Sequence, residues 1–335
     1  MKPWSPGPVS NAAELPPVSF LNAYLAPLQP ILAQPDITDI FINKPGEVWI
    51  EALGGATERL DAPELTEDNL LRLARQIASL SHQGISREHP LLSARLPDGS
   101  RVQVVAPPAT RAGVAIAIRK HVMSDLSLDD YEQTHSFLPP RSAHAEADRH
   151  SGDAEDPVGF LRQAVRQRKN ILISGGTSTG KTTFLNALMK EVTSTERLIV
   201  IEDTPELTLA HENSVGLVAV KGDLGEARVS ADDLLQASLR MRPDRIILGE
   251  LRGSEAATFL RAVNTGHPGS MTTIHANTPE GAFEQLALIV QAGSNLSRID
   301  ILDYVRFVVD VSVQLDRVGG RRVISRIEEK GRAIL

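Results

Sequence analysis

The stretch Ile171-Leu-Ile-Ser-Gly-Gly-Thr-Ser-Thr-Gly-Lys-Thr-Thr183 constrains this chain more than any other: a short apolar run, a glycine-rich turn, then helix-forming sequence. From Gly175 it fits G-x-x-x-x-G-K-[ST], with the strand in front and helix behind that the phosphate-loop pattern requires. The residue types follow from the charge of a triphosphate. Gly175, Gly176 and Gly180 let the backbone curl without side chains in the way, so that N–H groups along Thr177, Ser178 and Thr179 point at phosphate oxygens. Lys181 adds a point charge for the β- and γ-phosphates. Thr182 offers a hydroxyl to Mg²⁺, and the helix that opens through Thr183 sets its positive dipole end against the anion. ATP and Mg²⁺ are the expected ligands, held by residues 175–183.

At 335 residues the chain exceeds what one core usually supports, so two domains are expected. Residues 1–17 are rich in proline and small residues and read as a loose tail. Apolar residues recur at helical spacing from Val18 to Leu32, where Pro27 and Pro30 kink or split the segment. Residues 37–42 and 47–50 flank Asn43-Lys-Pro-Gly46 as a hairpin, 65–80 forms an amphipathic helix, and 101–105 and 114–118 are strands bounded by arginines. Residues 18–120 therefore read as a small α+β domain. Composition shifts over 121–157, where 139–157 is polar, small and charge-mixed like a flexible connector. From 158 to 335 strands at 171–174, 198–201, 246–248 and about 271–274 interleave with helices at 158–168, from 181, and at 230–240, 254–264, 280–291 and 298–304. That is the pattern of a parallel sheet with helices on both faces, closed by a hairpin of 307–315 and 322–328.

Composition removes several function classes. There is no cysteine, hence no disulfide, thiol catalysis or cysteine-ligated zinc. A net charge of −7 argues against a protein that coats nucleic acid, and no specific nucleic-acid binding is expected. No run approaches the roughly 18 apolar residues of a membrane span, and the proline-broken start lacks a signal peptide's apolar segment, so a cytoplasmic protein is expected.

Two further strands end in acids. Residues 197–206 form an apolar strand that closes on Glu202 and Asp203, with Glu206 four residues on. At the carboxyl end of a doubly wound sheet, Glu202 and Asp203 would face the phosphate loop and Mg²⁺; the alternative is that they cap the next segment. Residues 242–252 form the second strand, at the Walker B position, with Gly249-Glu250 where an Asp-Glu pair is usual. Glu250 is the candidate to orient or deprotonate the attacking water and a candidate metal carboxylate. In Gly266-His-Pro-Gly-Ser-Met-Thr-Thr-Ile-His-Ala-Asn277, His275 is the candidate sensor of the γ-phosphate, with His267 second. The remaining histidines lack metal-ligand spacing.

These four motifs, in this order and spacing, resemble the secretion ATPases of type II and type IV secretion systems and type IV pili, and most of all the traffic ATPases of type IV secretion. The acid-rich strand matches that family's Asp box, the Gly249-Glu250 strand its atypical Walker B and residues 266–277 its His box. The resemblance covers 158–312 and extends to Leu96-Pro-Asp-Gly-Ser-Arg-Val-Gln-Val-Val-Ala-Pro-Pro108. It implies a RecA-like P-loop domain with a mostly parallel sheet behind a smaller α+β domain, a homo-hexameric ring, and nucleotide held between the two domains. It implies, too, that Arg101 and Arg119 reach the phosphates, with Arg111, Arg240 and Arg242 weaker candidates. The implied role is to power assembly of, or transfer of DNA or protein through, a secretion complex. The protein would lie peripheral to the inner membrane, beside its membrane partners. A nucleotide-gated ring scaffold, or a related pilus or type II machine, is the alternative.

Overall fold

The computed structural model describes residues 18–52, 55–81, 83–120, 126–134, 136–137, 156–219, 229–319 and 321–335. The 1–17 tail and the stretch 139–155 lie outside them. The chain divides between residues 122 and 123 into two compact units.

In the first unit, α1 (Val18–Leu25), a 3₁₀ turn (Ala26–Leu28) and α2 (Gln29–Leu32) share the segment in which Pro27 and Pro30 remove backbone donors. Then come β1 (Ile37–Ile42), β2 (Gly46–Ala52), β3 (Thr57–Ala62), α3 (Glu67–Leu80), β4 (Leu91–Arg95), β5 (Arg101–Val105) and β6 (Ala115–Arg119). The six strands form one antiparallel sheet in the order β3-β2-β1-β6-β5-β4. Helix α3 buries Leu70, Leu73, Ala74 and Ile77 on one stripe, and Thr66 caps it by accepting the Asn69 N–H. The sequence reading misses β3 and β4. They are the sheet's two edges, and β3 has no buried residue.

The second unit contains α4 (Leu128–Gln133), α5 (Pro157–Arg166), β7 (Ile171–Gly175), α6 (Lys181–Met189), β8 (Leu198–Glu202), β9 (Ser214–Val218), α7 (Ala231–Ser238) and β10 (Arg245–Leu248). It continues with α8 (Glu255–Asn264), β11 (Met271–His275), α9 (Pro279–Gln291), α10 (Arg298–Val308), β12 (Val311–Val318), β13 (Arg321–Glu329) and β14 (Arg332–Ala333). Its sheet runs β14-β13-β12-β7-β11-β10-β8-β9, parallel from β12 to β9, with β13 and β14 added antiparallel. Successive residues of the central strands serve opposite faces. Ile171, Ile173, Leu198 and Val200 pack with α5 and α6, whereas Leu172, Ile199 and Ile201 pack with α7 to α10.

Helix α4 corrects the reading of 121–157 as connector throughout. A Ser127–Asp130 capping box starts it, and Leu128 and Tyr131 are buried in the same core as α5 and α6. Arg162 of α5 bridges Asp129 at 2.5 Å and Glu191 at 3.1 Å, and Ile324 of β13 donates its N–H to Ser136 O at 2.7 Å. Four apolar side chains (Leu126, Leu128, Tyr131 and Phe137) give this short piece a face to bury.

At the amino end of the sheet a fully buried Arg245 lies fork to fork with Glu196, at 2.7 Å (Nε to Oε2) and 2.8 Å (Nη2 to Oε1). Arg168 adds a third contact at 3.1 Å, and a Cβ on Gly269 would come within 2.8 Å of Arg245 Nη1, so glycine is required there. Burial disfavours the Glu196 carboxylate, but the Arg245 guanidinium overcomes this and holds its carboxyl below the ordinary 4.5. The pair's contribution is therefore present above pH 4.5 and lost as pH falls through the lower folded value. Glu196→Ala is expected to destabilise the second unit by about 3–5 kcal/mol at pH 7 by stranding a buried charge. Urea unfolding should show the gap to wild type narrowing in acid.

Candidate active site

Four parallel strands deliver the candidate residues to one edge. β7 ends at Gly175, β8 at Glu202, β11 at His275, and β10 one residue before Gly249-Glu250. The carboxyl ends of parallel strands are where a doubly wound sheet binds ligands. Gly175 pairs with His275 on one side and Leu315 on the other.

After Gly175 the chain curls through left-handed conformations at Ser178 (φ 61°) and Gly180 (φ 94°) before α6 begins at Lys181. These turns aim successive N–H groups into a concavity at a helix N-terminus, an anion cradle. Gly175 has no room for a side chain, since a Cβ would meet Thr179 Oγ1 at 2.5 Å and Leu315 O at 2.7 Å. Gly176 is open by comparison, its nearest neighbour Asn277 Oδ1 at 3.8 Å. Thr179 Oγ1 bonds Gly176 O at 2.9 Å and holds the curl. Thr177 stands within the loop, and Thr183 lies in the first turn of α6.

The buried Lys181 donates from Nζ to Gly175 O and Gly176 O, both at 2.9 Å, and to His275 Nδ1 at 3.2 Å. An ammonium has only donors, so Nδ1 is the acceptor and the neutral ring carries its proton on Nε2. Nε2 lies 3.0 Å from Glu250 Oε1, and Glu250 Oε2 receives Arg252 Nη2. Lys181, His275, Glu250 and Arg252 thus form one hydrogen-bonded series from loop lysine to strand-end carboxylate.

The Asp-box acids divide their tasks. Glu202 Oε1 accepts the N–H groups of Glu206 at 2.7 Å and Leu207 at 2.9 Å, bonds that fix the turn after β8. Asp203 lies 3.9 Å from Arg252. The acid beside Thr182 is Glu206, whose Oε2 accepts the Thr182 hydroxyl at 3.1 Å. Asn186 of α6 supports that turn, donating to Glu206 O at 3.4 Å and accepting the Thr208 N–H at 2.9 Å. Spacing marks Glu206 as a third acid, but only the fold of the turn sets it against Thr182; nothing in the sequence points to Asn186. At the position where Walker B usually carries an aspartate, a Cβ on Gly249 would come within 3.3 Å of Glu202 Cγ, so a side chain there would press on Glu202. A hydroxyl with one carboxylate beside it fits Mg²⁺, which keeps most of its octahedral shell for water and phosphate oxygens.

His267 and the arginines of the first unit stand in other settings. His267 precedes β11, at the opposite edge of the sheet, and turns Nδ1 toward Pro243 O at 3.2 Å, so it is no part of this cluster. In the first unit Arg119 faces Arg101 across the β5–β6 ladder and Asp39 across β1, 3.9 Å from its carboxylate, while Arg95 faces Arg101 from β4.

A glycine cradle closed by a buried lysine, at the carboxyl edge of a mostly parallel sheet with a strand-end glutamate alongside, defines a P-loop ATPase. More narrowly, the chain belongs to the Type II/IV secretion system protein family, whose profile matches residues 22–309. The type IV secretion system protein VirB11 of Bartonella quintana is 38% identical over 334 residues, covering 92% of this chain and 93% of its own length. PtlH of Bordetella pertussis, another type IV secretion system protein, is 38% identical over 320 residues with the same coverage, 92% and 93%. The crystal structure of the VirB11 ATPase of Brucella suis, in complex with sulphate, shares 37% identity with a TM-score of 0.50, covering 94% of this chain and 96% of that one. The pilus retraction motor PilT with bound ADP shares the fold, with a TM-score of 0.59 at 22% identity and coverage of 92% and 81%. The protein is thus an ATPase of type IV secretion.

The space at Gly175 is tight enough to test the cradle directly. Gly175→Ala is expected to cost about 1–3 kcal/mol of stability through overpacking and to abolish binding of a fluorescent ATP analogue.

Proposed function

We propose that the protein hydrolyses Mg-ATP at this edge, as a homo-hexameric ring peripheral to the inner membrane, and so drives assembly of or transfer through the secretion complex. The observation that carries this reading is the unbroken series from Lys181 through His275 to Glu250. It ties the group that would hold the terminal phosphates to the carboxylate that would activate water.

Residues 175–183 bind the phosphate chain through backbone N–H groups and Lys181. Thr182 and Glu206 are the residues that would hold the metal, which would neutralise phosphate charge. Glu202 positions Glu206 by holding the backbone between them. Glu250 takes the proton of the attacking water, and His275 orients it by donating from Nε2. Arg101 and Arg119 supply further positive charge to the transferred phosphoryl group, the role that the resemblance to secretion ATPases implies for them. The Brucella suis relative is in complex with sulphate, an anion shaped like phosphate. Among the described residues no helix is long and apolar enough to cross a membrane, which suits peripheral attachment.

Lys181→Ala is expected to lose nucleotide binding, whereas Glu250→Gln should still bind ATP and turn over roughly 10²–10⁴-fold more slowly. Size-exclusion chromatography with and without Mg-ATP, alongside phosphate release, reads both the ring and the chemistry. Hydrolysis at the wild-type rate by Glu250→Gln would transfer the base to Glu202 or Glu206. If instead Glu250→Gln bound ATP without turning it over and still restored secretion in cells, the protein would be a nucleotide-gated scaffold.

A further inference from the structure

The reacting groups described so far lie over β7, β11, β10 and β8, on one flank of the loop. The other flank is covered by the β12–β13 hairpin. β12 runs parallel to β7 as far as Leu315 opposite Gly175, then continues past the loop's level to Val318, still paired with β13, which returns with Arg322 opposite Arg317. Arg322 lies two residues before Ile324, on the face that packs with α6, and its side chain crosses the loop. A Cβ on Gly180 would stand 3.2 Å from Arg322 Cδ and 3.8 Å from its Nε. The guanidinium therefore sits beside the residue that caps α6, where the helix N-terminus already favours an anion.

Its surroundings hold it there. Arg321 donates to Thr134 O at 2.8 Å and the Ile324 N–H donates to Ser136 O at 2.7 Å, fixing the backbone on either side. Arg322 also acts on the buried Tyr131 hydroxyl, which burial pushes up to about 12 against the pull of this positive charge. Among the described residues no carboxylate lies within ion-pair distance of Arg322. A half-covered arginine, braced by its strand and set against a cradle for anions, has the chemistry of a phosphate ligand.

We infer that Arg322 binds the nucleotide's phosphate chain from the C-terminal hairpin, at the end that ADP and ATP share. The side of approach decides which end. Lys181, His275, Glu250, Thr182 and Glu206 crowd the β11–β10–β8 flank, where the terminal phosphate is split, and Arg322 arrives from the opposite one. It is a binding and positioning residue, and this assignment rests on the ATPase reading above.

Isothermal titration with Mg-ATP and with Mg-ADP tests it. Arg322→Ala should weaken both nucleotides by the same factor, about tenfold, as loss of one charge-assisted hydrogen bond predicts. Arg322→Lys should recover part of the loss, Arg322→Gln should not, and in turnover the change should fall on KM rather than kcat. Unfolding of each variant without nucleotide should match wild type, separating lost binding from lost fold. Wild-type affinity for both nucleotides in a folded Arg322→Ala protein would overturn the inference, as would a loss confined to ATP. If wild type itself bound neither nucleotide, the ATPase reading would fall first and this one with it.

Discussion

Gly175 closes β7 at a point where the carbonyl of Leu315 and the hydroxyl of Thr179 leave no volume for a methyl group. Because β12 pairs with β7 up to that residue, the chain must leave the sheet there, and it does so through a curl that only glycines and one left-handed serine sustain. Lys181 then falls back onto the carbonyls of Gly175 and Gly176, its charge held inside the turn it follows. The direction of α6, the position of Thr182 and the reach of Lys181 to His275 all derive from this close approach of two backbones.

Parallel pairing spreads that constraint across the unit. Strands that share a register end at a common level, so Glu202, Glu250 and His275, far apart in the chain, arrive beside one loop. Their burial explains why the arrangement holds. β7, β8 and β10 are covered on both faces, and their alternating side chains lock each strand against helices on either side. At the other edge the Arg245–Glu196 pair ties β10 to the segment before β8, far from the chemistry.

Much of this was legible because the central strands are continuous apolar runs and the loop motif has one structural solution. Four strands were not: β3, β4, β9 and β14. Each lies at the edge of a sheet, where one side of the ladder is unpaired and, apart from the buried Leu92 of β4, the side chains are exposed or only partly covered, so the apolar signal fades. Helix α4 was hidden by its polar neighbours, since six residues with two buried side chains make little periodic pattern. The site shows the same limit. Spacing could place acids after β8, but which carboxylate meets Thr182 depends on a turn that Glu202 itself builds by accepting two N–H groups. Arg322 carries no motif at all; a sheet pairing far along the chain brings it to Gly180.

Tyr131 of α4 meets Phe184 edge to face, ring centres 5.2 Å apart, and Phe184 follows Lys181 by three residues. Helix α4 is consequently anchored on the opening turns of the nucleotide helix, inside one shared core. A movement of that helix on gaining or losing a phosphate would carry through the aromatic pair to α4, so the short helix shares the fate of the loop's own helix.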